Sequence, residues 1–147
     1  MKQSLSILAL FITTLVLVIA AVIFAFFYPD LLRWYLDLRM MPSDRFVPLL
    51  VIGYGCIACG LAGLALLIGM LSNIRAQRIF VQSNARLLGW MSACCLAIAL
   101  LTGIGTVYYP PFVIFVIAAL FLFFVLRVVG SVFARAVALK DENDMTI

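Results

Sequence analysis

Residues 87–126 read LLGWMSACCLAIALLTGIGTVYYPPFVIFVIAALFLFFVL, without one Asp, Glu, Lys or Arg. A hydrocarbon core of ~30 Å is crossed by about 20 helical residues at ~1.5 Å rise each, so the stretch holds two crossings. Pro110-Pro111 near its middle divides them, because neither proline has an N–H to donate and each pushes its predecessor out of helical conformation. Tyr108 and Tyr109 just before the prolines are the amphipathic rings favoured at a membrane–water boundary. Two further uncharged stretches, residues 3–29 and 46–74, each hold one crossing. The fold class that follows is an all-α polytopic membrane protein with four transmembrane helices. The spans fall at about residues 5–27, 46–71, 87–107 and 112–133, forming one compact bundle, a single domain over residues 1–147 with a tail from about 134.

Composition agrees. The chain is 67% hydrophobic and 11% charged, with mean hydropathy +1.28, whereas soluble domains carry about a quarter of their residues as charges. The start, Met1-Lys2 before an apolar run, is expected to stay as the first span. A cleaved leader has a core of ~7 to 15 residues and a small-residue cleavage site, and this run ends in Phe26-Phe27-Tyr28-Pro29. The net charge of +4 reads as topology, and no direct nucleic-acid binding is expected. Lys2, Arg75, Arg78, Arg86, Arg127, Arg135 and Lys140 fall on one side of a four-span chain, and Arg33, Arg39 and Arg45 on the other. The positive-inside rule therefore places both termini in the cytoplasm.

Local signals fill in the connections. Pro29-Asp30 predicts a break, with Asp30 as N-cap of a short helix lying in the membrane interface between the first and second spans. Thr13 and Thr14 are expected to bond back to their own helix. The second span repeats small residues at i+4, as Gly55, Cys59, Gly63 and as Cys56, Gly60. That stripe predicts close helix packing inside the bundle, with self-association into a homo-oligomer as its second reading. Only about 15 residues separate Phe112 from Arg127, short for a crossing, so the fourth helix must run on past Arg127. Its guanidinium is expected to snorkel to the inner headgroups rather than form a dedicated anion site. The helix should end near Lys140, because the acids beyond it oppose the dipole of a helix C-terminus.

Reactive chemistry is hard to build from these residues. Cys56 and Cys59 form a C-x-x-C pattern, and Cys94-Cys95 lie at a similar depth, but thiolates need cations or water that apolar spans do not supply. The four cysteines read as packing residues. There is no histidine, and none of the six acidic residues lies in a span, so the sequence offers no metal site, cofactor site, proton relay or acid–base pair. No enzyme is expected. The charges left over are Arg75, Arg78 and Arg86 of the second connection, with Arg135, Asp141, Glu142 and Asp144 of the tail. They share a compartment and are expected to form a partner-docking face, the tail acids pairing across to the loop arginines.

Two segments of that face carry a family resemblance. Ser72-Asn73-Ile74-Arg75, then Ile79-Phe80 and Ser83-Asn84-Ala85-Arg86-Leu87 through Gly89-Trp90, is similar to the inner loop of the DUF2975 family of small bacterial integral membrane proteins. The ending Val137-Ala138-Leu139-Lys140-Asp141-Glu142-Asn143-Asp144-Met145-Thr146-Ile147 resembles that family's terminal acidic motif. The family often has a Gly-Lys pair where this chain has Gln77-Arg78. Genes of the family are often neighbours of small helix-turn-helix regulators, so the resemblance implies a membrane protein that holds or releases such a cytoplasmic partner. A non-enzymatic regulatory or sensor role is thus expected. The alternative is a small transporter or permeability factor using the Gly-rich second span as its moving element.

Overall fold

A computed structural model describes residues 2–145, and among these there is no strand. Four helices follow one another: α1 (Lys2–Leu38), α2 (Phe46–Arg75), α3 (Gln82–Gly105) and α4 (Val113–Met145). Each is long and apolar enough to cross a membrane, as the charge-free stretches require. One end of the array carries the start of α1, the α2–α3 connection and the end of α4; we call it the tail end. The other, the far end, carries the α1–α2 and α3–α4 connections.

The helices pack in chain order, α1 on α2, α2 on α3 and α3 on α4. Among the described residues no comparable contact joins α1 to α4, so the array is open where a compact bundle would close. Lipid tails solvate leucine as well as another helix does, so an apolar helix face gains little from being buried against protein. α3 is the most enclosed, with 22% of its most apolar window buried against 6% in the other three. The threonine expectation holds: Thr13 and Thr14 donate to the carbonyls of Ala9 at 2.8 Å and Leu10 at 2.7 Å.

The first span corrects a local reading. α1 does not break at Pro29 but continues to Leu38, so Asp30 is an exposed residue within a helix and no separate interfacial helix exists among the described residues. A proline here deprives the Ala25 carbonyl of its i+4 donor. The Tyr54 hydroxyl of α2 supplies one at 2.9 Å. At ~1.5 Å per residue α1 is about 55 Å long, well beyond the hydrocarbon thickness, so its last turns rise out of the far end.

The connections are closed by backbone and side-chain bonds together. α1 ends with Met40 at φ 51°, where Met41 N–H bonds Leu36 O at 3.0 Å and Met40 N–H bonds Asp37 O at 3.1 Å, a Schellman closure. A 3-10 turn, Ser43–Arg45, then starts α2. At the α3–α4 connection, Tyr109 N–H bonds Gly105 O at 2.8 Å and Pro110–Phe112 form a 3-10 turn, the expected proline break. Gly105 is required there, because a side chain would run into the Phe112 ring. Arg45 ties the two far-end connections by donating to Tyr108 O at 2.9 Å, and the Tyr35 and Tyr109 hydroxyls hydrogen-bond to each other.

α4 also outruns its predicted end, staying helical through Asp141, Glu142 and Asp144 to Met145. Ala138, Leu139, Lys140, Glu142 and Met145 are all strong helix formers. Their summed preference outweighs a dipole penalty of about 0.3–1 kcal/mol per exposed acid, weakened further by salt.

Candidate functional site

The α2–α3 connection at the tail end is built around one buried amide. Asn84, fully inaccessible to solvent, donates from Nδ2 to the carbonyls of Arg78 at 3.1 Å and Ile79 at 2.7 Å. Its Oδ1 accepts from Asn73 Nδ2 at 2.9 Å. Both amide protons and the oxygen are thereby used, which is what permits a polar group to sit without water. The Arg78 and Ile79 carbonyls belong to a segment with no helix of its own, and Asn84 provides their donors. On the α2 side a second Schellman closure holds the turn: Arg78 N–H bonds Asn73 O at 2.9 Å and Gln77 N–H bonds Ile74 O at 3.0 Å, with Gln77 at φ 64°. The sequence alone does not reveal Asn73 and Asn84 as structural residues. Their signal was the recurrent Ser-Asn pair, Ser72-Asn73 and Ser83-Asn84, which flanks the connection in sequence.

The fixed turn separates charges that the sequence grouped together. Arg75, Arg78 and Arg86 are all exposed. Arg75, however, lines a cavity of about 650 Å³ between the start of α1 and the end of α2, with Gln3, Phe11 and Gln77. Arg86 lines a different groove of about 620 Å³ between α3 and α4, where Arg127 is its basic companion. Arg135 is exposed on α4, whose last buried residue is Val137. Asp141, Glu142 and Asp144 stand beyond it, all exposed. Among the described residues no ion pair joins these acids to Arg75, Arg78 or Arg86, because the helical tail carries the carboxylates past the turn rather than back over it. Thr146 and Ile147 of the terminal motif lie outside the described residues.

The small-residue stripe of α2 is likewise only partly used within the chain. A Cβ at Gly55 would meet Leu101 Cδ1 at 2.9 Å, so this glycine does allow α2 and α3 to approach closely. At Gly60 and Gly63 a Cβ would meet nothing within 4 Å, and the packing expected of them is absent. The closest approach instead involves Gly53, against which the Tyr28 ring lies so tightly that no side chain fits. That position lets the Tyr28 hydroxyl donate to Leu49 O at 2.8 Å. Cys56, Cys59, Cys94 and Cys95 are partly buried free thiols.

A family model described as a protein of unknown function, DUF2975, matches residues 37–147. The chain belongs to the DUF2975 family. The matched region starts within the last turn of α1 and takes in α2, α3, α4 and every connection, so the Asn73–Asn84 turn and the acidic end of α4 are within the DUF2975 part and nearly all of α1 is not. The DUF2975 Gly-Lys pair would put its glycine at Gln77, the position held in the left-handed region. No curated protein and no solved structure matches the chain.

Proposed function

We propose that this DUF2975 protein is a non-enzymatic regulatory or sensor module of the bacterial cytoplasmic membrane, with the tail end in the cytoplasm. Its turn from Arg75 to Arg86 and its tail dock a soluble protein partner. The observation that carries the reading is α4 itself, which continues as helix beyond Val137 and presents Asp141, Glu142 and Asp144 exposed on a stiff stalk. A helix of this kind holds charges in fixed relation to one another, so that less ordering entropy is lost on binding than with a loose tail. Orientation is supported by the seven basic residues of the tail end against three at the far end.

The partner class that suits an acidic stalk is a protein with a basic face. A small helix-turn-helix regulator has one, because it must neutralise DNA phosphates. A carboxylate cluster competing for those cations would hold the regulator at the membrane until a change in the bundle releases it. The test is cross-linked co-purification from native membranes, comparing the full chain with one truncated after Lys140. Recovery of a soluble DNA-binding protein only with the intact tail is the expected result; identical recoveries from both forms would remove the stalk from the mechanism.

A further inference from the structure

The groove between α3 and α4 at the tail end shares Arg86 with the proposed docking face, but its other lining residues are not part of that face. Of its roughly 620 Å³, the walls include Gln82, Arg86, Phe124, Arg127, Val128 and Ser131, and no lining residue is acidic. Arg86 comes from the second turn of α3 and Arg127 from α4, so each helix contributes one arginine to the lining of the same cavity. Both are exposed, and among the described residues neither is paired with a carboxylate.

Two unpaired cations on one cavity repel each other unless an anion completes the arrangement. Arg127 follows Val113, the first residue of α4, at a helical distance of about 21 Å, so a hydrocarbon layer of ~30 Å that began at Val113 would contain its Cα. Cations at such a depth are paired or reach the headgroups, and a second cation bordering the same cavity adds repulsion that an anion would relieve.

The groove is also graded along the membrane normal. Phe124, 61% exposed, is the deepest of the named residues on α4, and Val128, 64% exposed, faces outward beside Arg127. Ser131 and Gln82 lie nearer the tail end, beyond the arginines. Here α3 begins, and its N-cap residue Val81 makes no side-chain cap, so first-turn N–H groups add positive partial charge at the same level. Apolar wall, then two cations, then polar hydrogen-bonding groups is the order of acyl chain, phosphate and glycerol headgroup in a phospholipid.

We propose that this groove is a binding site for an anionic phospholipid of the tail-end leaflet, its phosphate held between Arg86 and Arg127 and its acyl chains along Phe124 and Val128. A soluble phosphate would share the cations but leave the exposed apolar wall without an occupant, which is why the lipid is favoured. The site goes beyond the docking reading and does not depend on the acidic stalk.

The test is native mass spectrometry of the detergent-solubilised full chain titrated with phosphatidylglycerol or with phosphatidylcholine. Wild-type protein is expected to retain phosphatidylglycerol preferentially. At about 1 kcal/mol per basic residue near a membrane surface, Arg86→Gln and Arg127→Gln should each weaken that preference about 5-fold. Arg33→Gln, at the far end where Arg33 lies over the Phe46 ring, should leave it unchanged. Arg127→Lys keeps the charge and should retain most of the preference, which separates a lipid site from a general loss of fold. Helical circular dichroism of each variant verifies that it is folded. Equal retention of the two lipids, or a preference untouched by either glutamine substitution, overturns the proposal. Displacement of phosphatidylglycerol by inorganic phosphate at equal concentration assigns the groove to a soluble anion instead.

Discussion

The Tyr54 hydroxyl donates at 2.9 Å to the carbonyl oxygen of Ala25, the acceptor that Pro29 leaves without a helical partner. A proline inside a helix costs about 3 kcal/mol or more in water, partly through this lost bond. In a membrane, where no solvent can replace the bond, a side chain from a neighbouring helix is one of the few remedies. Tyr54 also meets Tyr28 edge-on, with ring centroids 5.5 Å apart, so the remedy is held in place by packing between α1 and α2.

Replacing Tyr54 by Phe keeps the ring and removes the donor. The expected loss is about 0.5–1.5 kcal/mol, the range of interhelical hydrogen bonds in membranes. If the account is right, Pro29→Ala, which restores a backbone N–H, cancels most of that loss in the double variant. Denaturant titration in mixed micelles of all four combinations checks it, and a fully additive cycle would remove the link between the two residues.

Asn84→Ala should be the most damaging of the tail-end substitutions. It strips donors from the part-buried Arg78 and Ile79 carbonyls and empties the fully inaccessible place of the amide, at a cost of about 1–3 kcal/mol. Loosening of the turn should appear as faster tryptic cleavage after Arg78, with Asn73→Ala giving a smaller effect.

Gln77→Gly should stabilise the protein by about 0.5–1 kcal/mol, because Gln77 at φ 64° occupies a region that costs a residue with a Cβ about 1–2 kcal/mol. The greater freedom of glycine in the unfolded chain offsets part of the gain. A β-branched Gln77→Val should move the unfolding midpoint in the opposite direction.

Gly63→Ala separates the two readings of the small-residue stripe. Nothing in the chain stands in the way of a methyl group there, so folding should be unaffected or gain up to about 1 kcal/mol from helix propensity. If Gly63 serves contact with a second copy, energy transfer between labelled copies in vesicles should fall with this substitution; if not, the signal should be that of wild type. Gly53→Ala, by contrast, displaces Tyr28 and should destabilise the single chain.

The Tyr109 phenol is raised above its ordinary pKa, first by its side-chain hydrogen bond with Tyr35 and then by burial. A raised value means the protonated form is favoured in the folded state. The contribution is therefore complete below the unfolded phenol's pKa and disappears as pH climbs through the folded one. Tyr35→Phe should lower one tyrosinate midpoint in an absorbance titration, and the wild-type far end should loosen only in strongly alkaline solution.

Membrane crossing is a local property, set by length and the absence of charge within one segment, because lipid presents nearly the same solvent to every helix. That is why the amino-acid sequence by itself determined the four spans, the proline break at Pro110-Pro111 and the self-bonded threonines. The tail face was legible only in part: Asp141, Glu142 and Asp144 are exposed but do not make the expected pairs with the loop arginines among the described residues, and the Ser-Asn pairs marked the important turn without revealing its bonds. What only the tertiary structure decided depends on residues distant in sequence. Pro29 reads as a helix stop until Tyr54 supplies the missing donor from α2, and Arg86 reads as a neighbour of Arg75 although the two line different cavities, Arg86 sharing its own with Arg127. Gly55 and Gly63 are alike as letters, yet Leu101 stands over one and nothing over the other, since a helix shows which residues share a face but not what that face will meet.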